Sequence, residues 1–381
     1  MVVENRLVRS VPEDPSALWA LVSTPYWPDA KERQALWRPL ASLTFGLTYL
    51  GFGATPWPYH AFVLLTHAAV SALVALLAHR LLADAGAALL AGALFAVHPI
   101  HSEVLGDSVG RAETLSALLA IAAFLAYART ESIWDRRFAA AGALYFLATL
   151  AKEGPLLALP ALCGVYDLFL RPGERGIVAR ARIAAPRWIA LAAVGGLHLA
   201  LRIAVLGTLS PHFTAINRLD NPLLFEAAPV RVANALAVMA RGLRLLLWPH
   251  PLSADYSLDQ VPVVRDLGNP GTLAAFLLLG ALALGAARLL ARGRVAGFAL
   301  AWLLIPWLPA SNLLFGAGTI FGERLLYLPS VGACLLAGTL AARFPGGARP
   351  RAAAGALAAV LVLLGAARTG ARLGDWKDSL R

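Results

Sequence analysis

"PYHAFVLLTHAAVSALVALLAH", residues 58–79, runs without a single Asp, Glu, Lys or Arg. As a helix rising 1.5 Å per residue it would be about 33 Å long, enough to cross the hydrocarbon core of a bilayer. Comparable runs recur at 83–98, 112–128, 137–151, 154–170, 187–206, 271–288, 295–310, 324–342 and 352–369. The expectation is an all-α, polytopic transmembrane protein with about ten spans. Composition agrees: the 381 residues are 59% hydrophobic and 14% charged, whereas soluble domains carry roughly a quarter charged residues.

The formal charge of +11 raises nucleic acid as a partner. The positive residues instead fill gaps between apolar runs, as the positive-inside rule expects, and no basic stripe interleaves with aromatics. The partner they imply is the lipid bilayer, with no nucleic acid. Arg-rich joints lie at 129–137, 171–187, 288–294 and 343–351. All four fall on the cytoplasmic side if 207–270 stays outside. Within that stretch, 230–248 carries Arg231, Arg241 and Arg244, so it reads as an interfacial amphipathic helix rather than a span. Basic residues are nearly all Arg among abundant Ala, Gly and Leu, a composition typical of GC-rich bacteria, so the expected location is a bacterial inner membrane. Cys163 and Cys334 sit inside apolar runs without CxxC spacing and read as small buried side chains. Segment 1–57, rich in proline and mixed charge, reads as an ordered extracytoplasmic loop with short helices, followed by a membrane module over 58–369 and an extracytoplasmic tail over 370–381.

This topology gathers the rare polar groups at one face, with both chain ends extracytoplasmic. "FAVHPIHSEVLGDSVGRAE" (95–113) concentrates His98, His101, Glu103, Asp107, Arg111 and Glu113 between apolar stretches. Ionisable groups at a membrane edge are costly and usually functional. Pro99 suits a first helical turn, so a helix starting near His98 would put His98 and His101 on one face. The spacing is not HExxH; no cofactor is required, and a divalent metal stays an open alternative. Arg111 with Glu113, Lys152 with Glu153 and Glu323 with Arg324 each place a cation beside an anion at an outer turn, and Arg38 could join them. Such pairs could simply neutralise one another. Three on one face fit an anionic, lipid-borne ligand, because guanidinium and ammonium groups are natural partners of phosphate.

"WRPLASLTF" (37–45), "HPIHSEVLGDSVGRAE" (98–113), "AKEGPLLALPALCGVYDLF" (151–169), "LLLWPHPLSADYS" (245–257) and "FGERLLYLPSVG" (321–332) together resemble the multispanning part of the transmembrane-and-tetratricopeptide-repeat (TMTC) proteins and their bacterial relatives. These are GT-C glycosyltransferases related to protein O-mannosyltransferases. The resemblance implies transfer of a sugar, expected to be mannose, from a polyprenyl-phosphate donor to a Ser or Thr hydroxyl of a protein acceptor on the extracytoplasmic face, with inversion. It implies Glu103 and Glu113 as catalytic carboxylates, and Arg38, His98, His101, Arg111, Lys152, Glu153, Asp255, Glu323 and Arg324 as substrate-binding residues. The family has about eleven spans; its first span and an acidic pair are expected upstream of Met1, with Glu4 falling after that motif. Tetratricopeptide repeats are expected beyond "GDWKDSLR" (374–381), so the chain reads as truncated at both ends. Missing that pair, it is expected to be inactive alone. The alternatives from other classes are a non-catalytic membrane scaffold and a transporter.

Overall fold

The computed structural model describes residues 5–27, 36–173, 176–208, 216–343 and 348–376. Glu4, the end of the tail (377–381) and parts of the joints at 171–187 and 343–351 lie outside the described residues. All described elements are helical. The first 57 residues form α1 (Arg6–Ser10), α2 (Ala17–Ser23) and α3 (Pro39–Phe52), which share a small core of Val8, Val11, Leu21, Phe45 and Tyr59. The short helices expected there are present.

Next come α4 (Trp57–Leu82), α5 (Ala85–Val97), α6 (Ser102–Gly106), α7 (Arg111–Tyr127), α8 (Arg136–Ala151), α9 (Pro155–Phe169) and α10 (Ile177–Leu206). After a loop follow α11 (Ala228–Leu247), α12 (Pro270–Ala291), α13 (Val295–Leu304), α14 (Ser330–Ala341) and α15 (Ala348–Leu373). Local sequence marks the ends. The Asp84 and Asp135 carboxylates accept from the backbone N–H groups of Ala87 and Arg137, each at 2.8 Å, satisfying donors that a helix start leaves orphaned. Pro39, Pro58, Pro155 and Pro270 occupy first turns, where a missing N–H costs nothing.

Among the described residues, five helical stretches are long and apolar enough to cross a membrane, or six if the 43° bent pair Ala85–Val97 plus Pro99–Gly106 counts as one span. This criterion does not confirm the expected count of about ten. The segments expected at 137–151, 154–170, 295–310 and 324–342 are helical but short: α8 has 16 residues, α9 15, α13 10 and α14 12. Pro306 and Pro309 turn the end of α13 into a 3₁₀ stretch, because proline removes a donor and crowds the preceding turn. The chain is a multi-pass membrane protein by the length and composition of its helices.

The main core lies among α4, α5, α7, α8, α9, α13 and α14, around Phe95, Phe124, Tyr127, Tyr145, Trp302 and Tyr327. Backbones approach closely where glycine allows it: a Cβ on Gly332 of α14 would stand 2.3 Å from the Leu303 nitrogen of α13. Small residues at such crossings let membrane helices pack by dispersion, without a hydrophobic driving force between them. A second core joins α11 and α12 through Met239, Leu243, Leu279, Trp307 and Leu326. Helix α11 buries Asn234, Val238, Met239 and Leu243 on one side and is not among the helices that meet the spanning criterion.

Helices α7 to α10 run between two polar clusters. Glu113, Lys152, Glu153 and Arg202 meet at one end of this bundle. Tyr127, Asp167, Arg171 and Arg187 meet at the other, about 21 Å away along α7 from Glu113 to Tyr127 at 1.5 Å per residue. The joints at 129–137 and 171–187 share this second end, since Arg187 donates to the carbonyls of Thr130 and Glu131. The 288–294 joint is there too, with Gly293 against the Phe169 carbonyl.

Candidate functional site

The site is built where the bent element after α5 meets the turns of other helices. His98 ends α5 and caps the 3₁₀ turn Pro99–His101: its Nδ1 accepts from the Ile100 N–H at 3.1 Å. Its Nε2 lies 2.9 Å from the Leu246 carbonyl, which makes Nε2 the protonated nitrogen. The helical start expected near His98 is therefore present, but both ring nitrogens are committed to backbone. His101 is fully buried, with Nε2 2.9 Å from the Ser330 hydroxyl and its ring 4.8 Å from that of Tyr327. The two imidazoles do lie together, 5.8 Å apart at their centroids. They order the bend; among the described residues no three His, Cys, Asp or Glu side chains converge to hold a metal ion.

The charge pairs expected within each turn do not form. Lys152 pairs with Glu113 of α7, while Glu153 accepts from Arg38 Nε and Nη2 at 3.2 and 3.1 Å. Arg202 of α10 approaches the other Glu153 oxygen at 3.7 Å. Arg324 pairs with Glu103 through its side chain, and its backbone N–H donates to the same carboxylate at 2.8 Å. The reason is directional: side chains one or two residues apart do not face each other, so the members of each expected pair turn to different segments. These pairs belong to one field. Arg324 interacts electrostatically with Glu113 and Arg38 as well as Glu103, and Lys152 feels Arg38 and Arg324.

Burial lowers the Lys152 ammonium, with Glu113 opposing the shift. Burial also opposes ionisation of Glu153, yet Arg38 and then Arg202 outweigh it and hold the carboxyl below its ordinary value. Glu323 differs. Its Oε1 accepts from the Tyr256 hydroxyl and the Ser253 N–H, both at 2.8 Å, while its Oε2 is buried without a partner. Burial chiefly pushes this carboxyl up to about 7, with Glu103 adding to the shift. Asp255 is exposed and occupied with its own turn, accepting from the Ser257 N–H at 2.9 Å and its hydroxyl at 2.6 Å.

Arg111 also departs from expectation, having no carboxylate partner among the described residues. It is fully buried, its guanidinium carbon 4.1 Å from the Phe45 ring centre, 4.4 Å from that of Phe62 and 5.3 Å from that of Tyr59. Nη1 donates to the Thr48 hydroxyl at 3.1 Å, whereas Nε and Nη2 have no partner among the described residues. Aromatic faces hold this cation electrostatically without cancelling its charge. Sequence reading missed Arg202, Thr48 and Tyr26, whose buried hydroxyl has no partner and is pushed by burial up to about 12. Arg202 had a signal: an arginine within an otherwise apolar run.

The cluster therefore joins Arg38, Lys152, Arg202 and Arg324 to Glu103, Glu113 and Glu153. Among the described residues, four cations face three carboxylates, with Arg111 beside them. Such an arrangement can hold an anion and keeps carboxylates within reach of a proton.

A family model described as "Protein O-mannosyl-transferase TMTC, DUF1736" matches residues 207–283. The chain is 33% identical over 347 residues to human "Protein O-mannosyl-transferase TMTC3", covering 84% of this chain and 37% of that protein. It is 33% identical over 361 residues to Drosophila melanogaster Tmtc3, covering 79% of this chain and 39% of that one. It is 30% identical over 392 residues to mouse TMTC4, covering 90% and 52%. The chain thus spans well under two thirds of the length of these relatives. No solved structure matches it. The chain belongs to the TMTC family, whose curated relatives are named protein O-mannosyl-transferases.

Proposed function

We propose that this chain is the membrane module of a protein O-mannosyltransferase that takes mannose from a polyprenyl-phosphate donor and transfers it to a protein Ser or Thr hydroxyl. The observation that carries the reading is the convergence of Arg38, Lys152, Arg202 and Arg324 on three carboxylates at one end of the bundle. In this reading that end is extracytoplasmic, and the short helices complete about ten traverses by packing inside the longer ones. These cations receive the donor phosphate.

Arg324 is the partner best placed to exchange, because its side chain is 46% exposed while Glu103 is 6% exposed. On donor binding its guanidinium turns to the phosphate, and the Arg324 backbone N–H keeps hold of Glu103. The acceptor hydroxyl attacks the anomeric carbon and the bond from that carbon to the phosphate oxygen breaks. The electron pair stays on the phosphate, where the cations stabilise it. The hydroxyl proton passes to a carboxylate acting as general base, with Glu103 and Glu113 the candidates on this chain. Attack opposite the leaving phosphate inverts the anomeric centre.

A second reading, a non-catalytic scaffold, draws support from the same pairs, since Glu103 and Glu113 are both already engaged by cations. Mannosyl transfer by the full-length protein decides between them. Loss of transfer in Arg324→Ala and Glu103→Gln, with folding intact, is expected. No transfer by the full-length wild-type protein would leave the scaffold standing, and full transfer in both variants would remove Arg324 and Glu103 from the proposed mechanism.

A further inference from the structure

The end of α15 docks on the bent element that carries Glu103. The Thr369 hydroxyl donates to the Val97 carbonyl at 2.7 Å. Trp376, just past the helix, lies on Gly106: a Cβ built there would stand 2.5 Å from the indole Cγ. Gly106 follows Glu103 by three residues on α6, so the two share a side of that short helix. The indole is thereby brought to the side that carries the Glu103–Arg324 pair. Arg372, one turn before Trp376, acts electrostatically on Glu323, the residue preceding Arg324. Its ion pair, however, is with Asp375, at 2.7 Å.

At this junction four polar atoms are buried without a partner among the described residues: Glu323 Oε2, Arg372 Nε and Nη2, and Trp376 Nε1. Glu323 is 0% and Arg372 8% exposed. Leaving such groups dry and unpaired is costly, and each calls for an explanation. A purely structural junction would be as well served by apolar side chains. The set instead complements a neutral ligand rich in hydroxyls. It offers one acceptor and three donors, and a hydroxyl both gives and takes hydrogen bonds. One Ser or Thr hydroxyl could not engage all four atoms; a hexose, with several hydroxyls around one ring, can.

We propose that Glu323, Arg372 and Trp376 form the subsite for the hexose of the lipid-linked donor, holding its hydroxyls while Arg324 takes the phosphate. This subsite rests on the transferase reading and gives it the residues that recognise the sugar. The covalent link between sugar and phosphate matches the chain, where Glu323 stands beside Arg324. Of the spanning stretches, Gly355–Trp376 is the least buried, 11% over its apolar window. The last turn of α15 can therefore lift off Gly106 to admit the sugar and close over it.

The test titrates the full-length protein in detergent, by calorimetry, with isoprenyl-phosphate mannose and with the same isoprenyl phosphate lacking the sugar. Wild type is expected to bind the sugar-bearing ligand more tightly. Trp376→Phe keeps a ring over Gly106 but loses the N–H, and should weaken that ligand about threefold to tenfold. Arg372→Gln should weaken it about tenfold or more, the loss of a hydrogen bond from a charged group. Neither variant should change the affinity for the bare isoprenyl phosphate, whereas Arg324→Ala should weaken both ligands. If Arg372→Gln fails to fold, Trp376→Phe decides alone. Equal affinity of the wild type for the two ligands, or equal loss of both in the variants, would overturn the subsite. So would unchanged donor affinity with a raised KM for an acceptor peptide, which would give these atoms to the acceptor. A wild type that binds neither ligand would overturn the transferase reading itself, and the subsite with it.

Discussion

Lys152 pairs with Glu113, 39 residues earlier in the chain, and leaves its neighbour Glu153 to Arg38 and Arg202. The end of α8 is thereby fastened to the start of α7 by a bridge whose side chains are only 17% and 12% exposed. Removing one partner strands the other in a dry environment. Glu113→Gln or Lys152→Met should each destabilise the protein by about 3–5 kcal/mol. The double variant should recover much of that loss, because no unpaired charge remains. Thermal unfolding in detergent checks this; a double variant as unstable as the sum of the two singles would show that the pair is not coupled.

Arg324 should matter more to donor affinity than to stability, since its side chain is the most exposed of the cationic partners. Arg324→Ala in the full-length enzyme is expected to weaken donor binding by about 1.5–3 kcal/mol, the worth of a hydrogen bond to a charged group. Donor titration of wild type and variant gives the answer. An unchanged affinity would move the phosphate away from this residue.

Glu323 predicts a pH dependence. Its folded value of about 7 lies above the ordinary 4.5, so the unfolded chain releases this proton first as pH rises. The stability it contributes is full below about pH 4.5 and is lost progressively up to about pH 7, amounting to at most about 3 kcal/mol. Glu323→Gln cannot ionise, so it should flatten this part of the profile and match or exceed wild-type stability at pH 8. Parallel melting curves for the two proteins from pH 5 to pH 8 would refute the assignment.

Gly110 joins the bend after α6 to α7 and admits no side chain. A Cβ there would stand 2.0 Å from the Val104 carbonyl oxygen, and backbone cannot yield as a flexible side chain does. Gly110→Ala should cost about 1–3 kcal/mol, as overpacking does, and reduce transfer by displacing Glu103 from Arg324. Unfolding midpoints and transfer rates measured together would reveal this; wild-type values of both would mean the bend relaxes freely.

Orientation can be read from two positions. Asp107 is exposed at the end that carries the Arg38–Glu153 and Arg324–Glu103 pairs, and Trp134 is 88% exposed at the opposite end. The native cysteines, Cys163 and Cys334, are buried and should stay silent. Asp107→Cys is expected to react with an impermeant maleimide from outside the membrane and Trp134→Cys only after permeabilisation. The reverse pattern would invert the proposed topology.

What the amino-acid sequence determined alone was mostly local: the apolar helices, their proline and aspartate boundaries, and the crowding of ionisable residues at helix ends. Even the meeting of Arg38, Glu103, Glu113, Lys152, Glu153 and Arg324 at one end followed from counting how often the chain reverses. Partner choice did not follow. Helices such as α4, α7 and α14 are apolar nearly all round, so they carry no stripe that would fix which face turns toward which neighbour. Only the packed structure sets those rotations. It decided that Lys152 reaches Glu113, that Arg111 sits among Phe45, Tyr59 and Phe62, and that Arg202 closes on Glu153. It also decided that Asp167 gathers Arg171 and Arg187 at the far end. A buried charge is satisfied by whichever partner lies opposite in space, and that is a property of the assembled bundle rather than of any stretch of chain.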